Sequence, residues 1–442
     1  MRLLSLLLLG ALIALPQSWQ AGAAKVDISP DGPVWMAGYA ARTKPSTGVL
    51  HPIYAKALAI DDGKKGRVVF VTADIIGFPR TVAEEIAIAS LKRYGLERSQ
   101  LVLNASHTHS GPVIWPNLAT MYLFNATEKA RVEAYTRKFV GQVIDVVGAA
   151  IGNLKPAELE LDMGTAGFAM NRRLPTPEGI KNSPNTAGVT DHSVPTIEVR
   201  DKDKKLVALL FGYSCHNTTM TGEFYDINGD YAGFAQAELE AHFPGSVAMF
   251  VMACGGDQNP YPRSSLANAK AHGHELAEAV IRTTGKTGQP LRGRIRSGFQ
   301  MIELPFQAFG RNDFEAELKS TNPFAVRRAE AMIRAMDERR ISRTLAYPIQ
   351  AIRLGQSTIV TLGGEVVVDY CLRLKKETAN PALFVMGYSN DVMCYIPTKK
   401  QVEEGGYEAK DSFLYYGQPA PLSGDSEDII VDKVKSLLKR VK

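Results

Sequence analysis

The chain has 442 residues, 45% hydrophobic and 22% charged, with a formal net charge of +5. That composition describes an ordinary globular chain long enough for a large core in one or two domains, and it excludes a disordered or low-complexity protein. Lys and Arg are dispersed rather than clustered, so no nucleic-acid partner is expected.

The N-terminus reads as a signal peptide. Arg2 supplies the positive end, Leu3 to Leu15 an apolar stretch, and Ala21-Gly-Ala23 a small-residue cleavage site. The apolar stretch is shorter than the ~20 residues of a membrane span, so removal is favoured over anchoring, and no stable membrane insertion is expected. The expected division is a signal peptide over 1–23 and one mature domain over 24–442, placed in a periplasm or outside the cell.

Short apolar runs then alternate with helical patterns. Arg67 to Ala73 reads as a buried strand, Pro79 to Tyr94 as an amphipathic helix, Leu101 to Leu103 as a strand and Glu128 to Leu154 as a long helix. Residues Ala169 to Ser193 lack periodicity and predict an ordered loop. Leu206 to Tyr213 and Val247 to Ala253 are two more apolar strands, with a helix over Asp230 to His242 between them. Phe324 to Leu345 reads as a solvated helix. Asp428 to Lys442 is a basic amphipathic helix, better suited to docking by its Ile/Val/Leu stripe than to a membrane surface. The alternation predicts an α/β protein with a mixed β-sheet core flanked by helices. Among the four cysteines, Cys215 and Cys254 lie in apolar runs and Cys371 and Cys394 follow at irregular spacing. One or two disulfides stay open, with buried free thiols favoured.

Five segments carry chemistry, each at or after a strand end. In Asn104-Ala-Ser-His-Thr-His-Ser-Gly-Pro112, residues i and i+2 of an extended strand share a face, so His107 and His109 are expected to point together. Two imidazoles so placed suit part of a zinc site, or one ligand and one proton donor; two hydrogen-bonded structural histidines fit the pair equally. His216 in Gly212-Tyr-Ser-Cys-His-Asn-Thr-Thr-Met220 repeats the pattern. Met252-Ala-Cys-Gly-Gly-Asp-Gln-Asn-Pro260 offers paired glycines for close backbone approach, with Asp257, Gln258 and Asn259 as an orienting network or an ordinary turn. Ile359-Val-Thr-Leu-Gly-Gly-Glu365 presents one carboxylate. Gly387 to Thr398, with Tyr407 and Tyr415-Tyr-Gly417 beyond, is dense in tyrosine, which simple packing would also explain. His272 and His274 are expected at the surface, and His51, His192 and His242 have no supporting motif. The Asn125-Ala-Thr127 sequon carries little weight.

Taken together, these segments resemble the catalytic domain of the neutral/alkaline non-lysosomal ceramidases, zinc-dependent amidases. The resemblance also takes in Val34-Trp-Met-Ala-Gly-Tyr-Ala40, Pro52 to Leu58 and Thr72-Ala-Asp74, and His107-Thr-His-Ser-Gly-Pro112 is its most specific part. It implies a Zn2+ ion held by His107, His216, Glu365 and Tyr395, with His109 facing the substrate carbonyl, and Tyr407 and Arg172 (followed by Arg173) near the reaction centre. Such a donor set leaves zinc an open position, and zinc can acidify water and polarise a carbonyl.

Two departures from the family pattern stand out. The family has a serine before the proline matching Pro260, often taken as the nucleophile, where this chain has Asn259. Attack by zinc-activated water is therefore expected, with Asn259 as a hydrogen-bond donor. The ceramidases also carry a C-terminal sandwich-like domain, and none is expected here.

The expected function is hydrolysis of a linear amide in a ceramide-like, small-molecule or lipid N-acyl substrate. The alternatives are a metallo-hydrolase of another N-acyl or ester compound, or a non-catalytic zinc-binding protein that retains the fold. The complete ligand set argues against the last.

Overall fold

The computed structural model describes residues 19–286 and 288–442. Its main sheet runs, in spatial order, Val247–Met252, Leu206–Tyr213, Ser193–Asp201, Lys155–Thr165, Trp19–Asp27, Tyr54–Asp61, Arg67–Ala73 and Leu101–Ala105. The outermost pair at each edge is parallel and the inner neighbours are antiparallel. Parallel pairs need covered faces, and these strands are accordingly Val/Leu/Phe runs buried along nearly their whole length.

The sheet curls until its two edges meet. Asn104 joins them: its amide nitrogen donates to Met252 O (3.2 Å) and its oxygen accepts from Met252 N (2.9 Å), so one side chain imitates a strand's peptide group. The C-terminal ends of the two edge regions, where both histidine motifs begin, are thereby brought side by side.

A second sheet, Ile295–Pro305, Thr344–Leu354, Ser357–Leu362 and Phe384–Met386, closes the concave side. Ile352, Leu354, Phe384 and Met386 pack there on Leu58, Phe70, Val102, Leu210 and Val251. Its other face buries Tyr347, Ile349 and Leu362 against Leu374 of the helix Val368–Glu377 and Ile430, Val431, Val434 and Leu437 of the helix Ser426–Arg440. The C-terminal helix is thus docked by its apolar stripe. Arg80–Tyr94 and Ala126–Gly152 cover one outer face of the main sheet, and Asp230–His242 with Leu266–Thr283 cover another part. Asn125 of the sequon caps the long helix, its side chain accepting from Glu128 N (2.9 Å). All four cysteines are buried free thiols. No helix among the described residues is long and apolar enough to cross a membrane.

Several sequence expectations need correction. Ala169–Thr176 and Gly179–Asn185 form a β-hairpin rather than a loop, because pairing with Gln258–Pro260 supplies the order that a polar, aperiodic stretch does not advertise. The helix placed over Phe324 to Leu345 is Pro323–Asp337; Thr344 and Leu345 belong to the next strand, where Leu345 pairs with Leu304. His272 is buried, its Nε2 on Pro262 O (2.6 Å) and its ring stacked on Phe168, whereas His274 is exposed as expected.

Residues 1–18, with Arg2 and the apolar stretch of the expected signal peptide, lie outside the described residues. The expected boundary after Ala23 falls within Trp19–Asp27, a strand paired on both sides, with Ala23 opposite Leu58 and Trp19 opposite Ala157.

Candidate active site

Both histidine motifs leave their strands as turns rather than as extended backbone. The first strand ends at Ala105, and His107 adopts a left-handed conformation, φ 61°. A non-glycine residue there is strained, a feature that collects at functional sites. His107 and His109 do converge, with their Nε2 atoms 3.2 Å apart, but a turn brings them together and not strand alternation. The two turns also pair with each other: Thr108 bridges Asn217, and His109 N donates to Asn217 O (3.2 Å).

Glu365 and Tyr395 are neighbours by register. Glu365-Val366 pairs in parallel with Tyr395-Ile396, so the two side chains start from opposed positions. The glycines before Glu365 are required by space. A Cβ on Gly363 would meet the Pro348 ring at 2.8 Å, and one on Gly364, at φ 74°, would meet Cys394 O at 2.7 Å. Gly256 has the same constraint, since a Cβ there would lie 2.6 Å from Glu365 O.

These elements converge on one point. Glu365 Oε2 lies 3.1 Å from His107 Nε2 and 2.9 Å from His216 Nε2, and His216 Nε2 lies 3.1 Å from Tyr395 Oη. The far nitrogens fix the tautomers: His107 Nδ1 donates to Ile76 O (2.5 Å) and His216 Nδ1 to Gly255 O (2.7 Å). Each imidazole therefore turns an Nε2 lone pair toward a carboxylate oxygen that also carries lone pairs. Such a cluster is repulsive unless a proton or a cation sits among the donors, and two His, a Glu and a Tyr around one point could hold a metal ion. His107, His109 and His216 have ring nitrogens all within 4.8 Å of one another.

Burial pushes the His216 imidazole down to about 4, with Arg172 adding to the effect, and drives His109 well below its usual value. Neutral imidazoles are the form that binds metal. Burial alone would raise Glu365, but a proton or cation shared with His107 and His216 outweighs it and holds the carboxyl well below its usual range.

Around this point lies a ring of donors. Arg172 Nη2 donates to Tyr395 Oη (3.0 Å) and Nη1 to Asn259 Oδ1 (3.2 Å), while its Nε is held by Glu408 Oε1 (2.8 Å). Arg173 points away, to Glu408 Oε2 (2.8 Å) and Glu404 (3.2 Å), so Arg172 is the arginine of the site. The hairpin register sets this, with Gln258 opposite Asn171 and Asn259 opposite Met170. Tyr407 packs its ring 5.5 Å from that of Tyr395, and the Arg172 guanidinium lies 5.6 Å from the Tyr407 ring. His109 donates from Nδ1 to Gly38 O (3.1 Å) and lies against Tyr39. A Cβ on Gly38 would fall 2.4 Å from that Nδ1, which explains a glycine before Tyr39.

Five participants were not singled out as site residues in the sequence. Tyr416 donates to Glu365 Oε1, Tyr388 Oη lies 3.5 Å from Glu365 Oε2, and Thr218 donates to Asn259 Oδ1 (3.2 Å). Glu408 anchors Arg172, and Asn104 joins the sheet edges. The signal for the tyrosines was their density near Tyr395 and Tyr407; Glu408 directly follows Tyr407. Asp257 anchors neighbouring elements: its backbone oxygen accepts from Arg172 N (2.9 Å), and its carboxylate accepts from Val368 N (2.9 Å) and Gln401 (3.0 Å).

Comparison with known proteins gives the family and the fold. A family model described as neutral/alkaline non-lysosomal ceramidase, N-terminal, matches residues 19–275, a span that holds both histidine turns, Arg172 and Asn259. A neutral ceramidase of Mycobacterium tuberculosis is 23% identical over 457 aligned residues, covering 84% of this chain and 70% of that protein. Among solved structures, the neutral ceramidase of Pseudomonas aeruginosa superposes with a TM-score of 0.74 at 19% identity, over 96% of this chain and 75% of that one. A ceramidase complexed with C2 gives 0.74 at 18% identity, over 96% and 76%. At that identity the structural likeness speaks for the fold alone, and it covers more of the chain than the family model does. The family match spans more than half of the chain, so this chain belongs to the neutral/alkaline non-lysosomal ceramidases, a family of hydrolases.

Proposed function

We propose that this protein hydrolyses the N-acyl bond of a ceramide-like lipid amide in a zinc-dependent reaction. The observation that carries the reading is the convergence of His107 Nε2, His216 Nε2, Glu365 Oε2 and Tyr395 Oη, with both histidine tautomers set by backbone carbonyls. Zinc held by these four groups would supply Lewis acidity to a carbonyl and acidify water toward a pKa of about 7.

The chain's own residues supply the rest. His109 commits Nδ1–H to Gly38 O and keeps Nε2 free to accept a proton, and burial holds it neutral. It serves as the base that takes a proton from the attacking water. It then returns that proton to the nitrogen as the C–N bond breaks, giving a carboxylic acid and an amine. Arg172 and Tyr407 stand where negative charge develops on the carbonyl oxygen. Burial raises the Tyr407 phenol above its usual value, so it stays protonated and able to donate. Asn259 Oδ1 is occupied by Arg172 and Thr218, which leaves its amide N–H groups for a substrate oxygen. An amide is no nucleophile, so an acyl-enzyme at position 259 is not part of this reaction. The Leu3 to Leu15 stretch after Arg2 supports export to a periplasm or the exterior.

The test is fatty-acid release by the purified protein, with Trp19 retained, from short- and long-chain ceramides with and without a chelator. Chelator-sensitive release that returns with zinc is expected. A zinc-loaded protein inert toward ceramides but active on another N-acyl compound would move the substrate and keep the chemistry.

A further inference from the structure

Tyr415 and Tyr416 follow the short helical turn Asp411–Leu414, and their rings go opposite ways. Tyr415 faces outward and packs edge-on against Phe324 of the helix Pro323–Asp337, with centroids 5.5 Å apart. Tyr416 turns inward and donates its hydroxyl to Glu365 Oε1. Two ties hold the loop in that pose, and a third steadies the segment that carries Thr120. The Thr120 hydroxyl lies 2.8 Å from Leu414 O and 2.5 Å from Tyr415 O, Gln418 donates to Met393 O (2.9 Å), and Arg327 of the helix donates to Ala119 O (3.1 Å) beside Thr120.

The two oxygens of Glu365 therefore have separate partners. Oε2 faces His107 and His216, and Oε1 is taken by the half-buried Tyr416 phenol. A carboxylate with both oxygens free can chelate a cation or swing between two poses. One with Oε1 in a hydrogen bond presents a single oxygen from a fixed direction. The Tyr416 ring also lines an open pocket of about 340 Å³, together with Pro116, Leu118, Val392 and Met393.

We propose that Tyr416 is a positioning residue for the metal centre: its hydroxyl commits Glu365 Oε1 and leaves Oε2 as the single carboxylate donor. This rests on reading His107, His216, Glu365 and Tyr395 as metal ligands.

The experiment compares wild type, Tyr416→Phe and Tyr415→Phe as metal-free proteins. Zinc affinity is measured by competition with a chromogenic chelator, the visible spectrum is recorded with Co2+ in place of zinc, and the metal-free melting temperature serves as the fold control. Wild type and Tyr415→Phe should bind one ion per chain with the same affinity and spectrum. Tyr416→Phe should keep its metal-free melting temperature, bind zinc about 10–100-fold more weakly and give a changed cobalt spectrum. Wild-type affinity and spectrum in Tyr416→Phe would overturn the role while leaving the metal site standing. A wild-type chain that binds neither ion overturns the metal reading itself, and this role with it.

Discussion

The N-terminal boundary admits a direct test. A chain begun at Ala24, as the small-residue triplet suggests, loses Trp19 to Ala23 from the strand Trp19–Asp27. Trp19 is 2% exposed, packs among Leu58, Ile60 and Leu159, and donates its indole N–H to Gly293 O (2.8 Å). A tryptophan buries roughly 150–250 Å², worth about 4–6 kcal/mol at about 25 cal/mol per Å². The truncation also strips the partners of Leu58 to Asp61 and Lys155 to Ala157, opening a raw edge in the middle of the sheet. The loss is then comparable with the whole stability of a typical domain, about 5–15 kcal/mol. At roughly 2 °C per kcal/mol for a large domain, the melting temperature should fall by at least about 10 °C, with aggregation. Thermal denaturation of chains starting at Ser18 and at Ala24 measures this. Mass spectrometry of the protein recovered from an expressing host should place its N-terminus at or before Trp19. Equal melting temperatures, or a stable native protein beginning at Ala24, would refute the reasoning.

Three further outcomes are expected at and around the site. Glu365→Gln should lower zinc affinity and turnover together by more than about 100-fold, since it removes the oxygen shared by both imidazoles; normal turnover would sink the metal assignment. Asn259→Ala should reduce kcat about 10–100-fold without abolishing it, the loss expected for one hydrogen-bonding group of about 1–3 kcal/mol; complete loss would give Asn259 a more direct part. Asp257→Asn should change the pH dependence of stability. Burial raises the Asp257 carboxyl to about 7, against the pull of Val368 N–H and with repulsion from Glu408 and Asp369. Its folded pKa exceeds the unfolded value of about 3.9, so its contribution is complete below about pH 4 and declines by about 1.4 kcal/mol per unit until it levels off above about 7. The asparagine variant lacks that decline and should gain on wild type between pH 4.5 and 8 in denaturant titrations. Parallel profiles would show that Asp257 does not titrate there.

Local pattern alone was enough for the α/β class and most strand and helix positions, and it was the resemblance to the ceramidases that singled out the residues converging on Glu365. Apolar runs ending in His, Gly-Gly-Glu or Tyr-Ile-Pro-Thr are features of contiguous sequence, and burial of such runs forces the polar residues that follow to strand ends. The buried state of the cysteines and the docked C-terminal helix were legible for the same reason. What only the tertiary structure decided depends on partners far away in the chain. The hairpin Ala169–Thr176 and Gly179–Asn185 is ordered by Gln258–Pro260, and that pairing, with Glu408, selects Arg172 over Arg173. Asn104 reads as one polar residue in an apolar strand until the sheet curls and Met252 meets it. Tyr416 and Tyr415 are equivalent in sequence, and the fold turns one toward Glu365 and the other toward Phe324. The strand beginning at Trp19 was hidden because small residues suit a protease's cleavage site and a crowded strand alike. A Cβ on Gly22 would lie 2.4 Å from Ala150 O, a need for glycine that only the packed helix reveals.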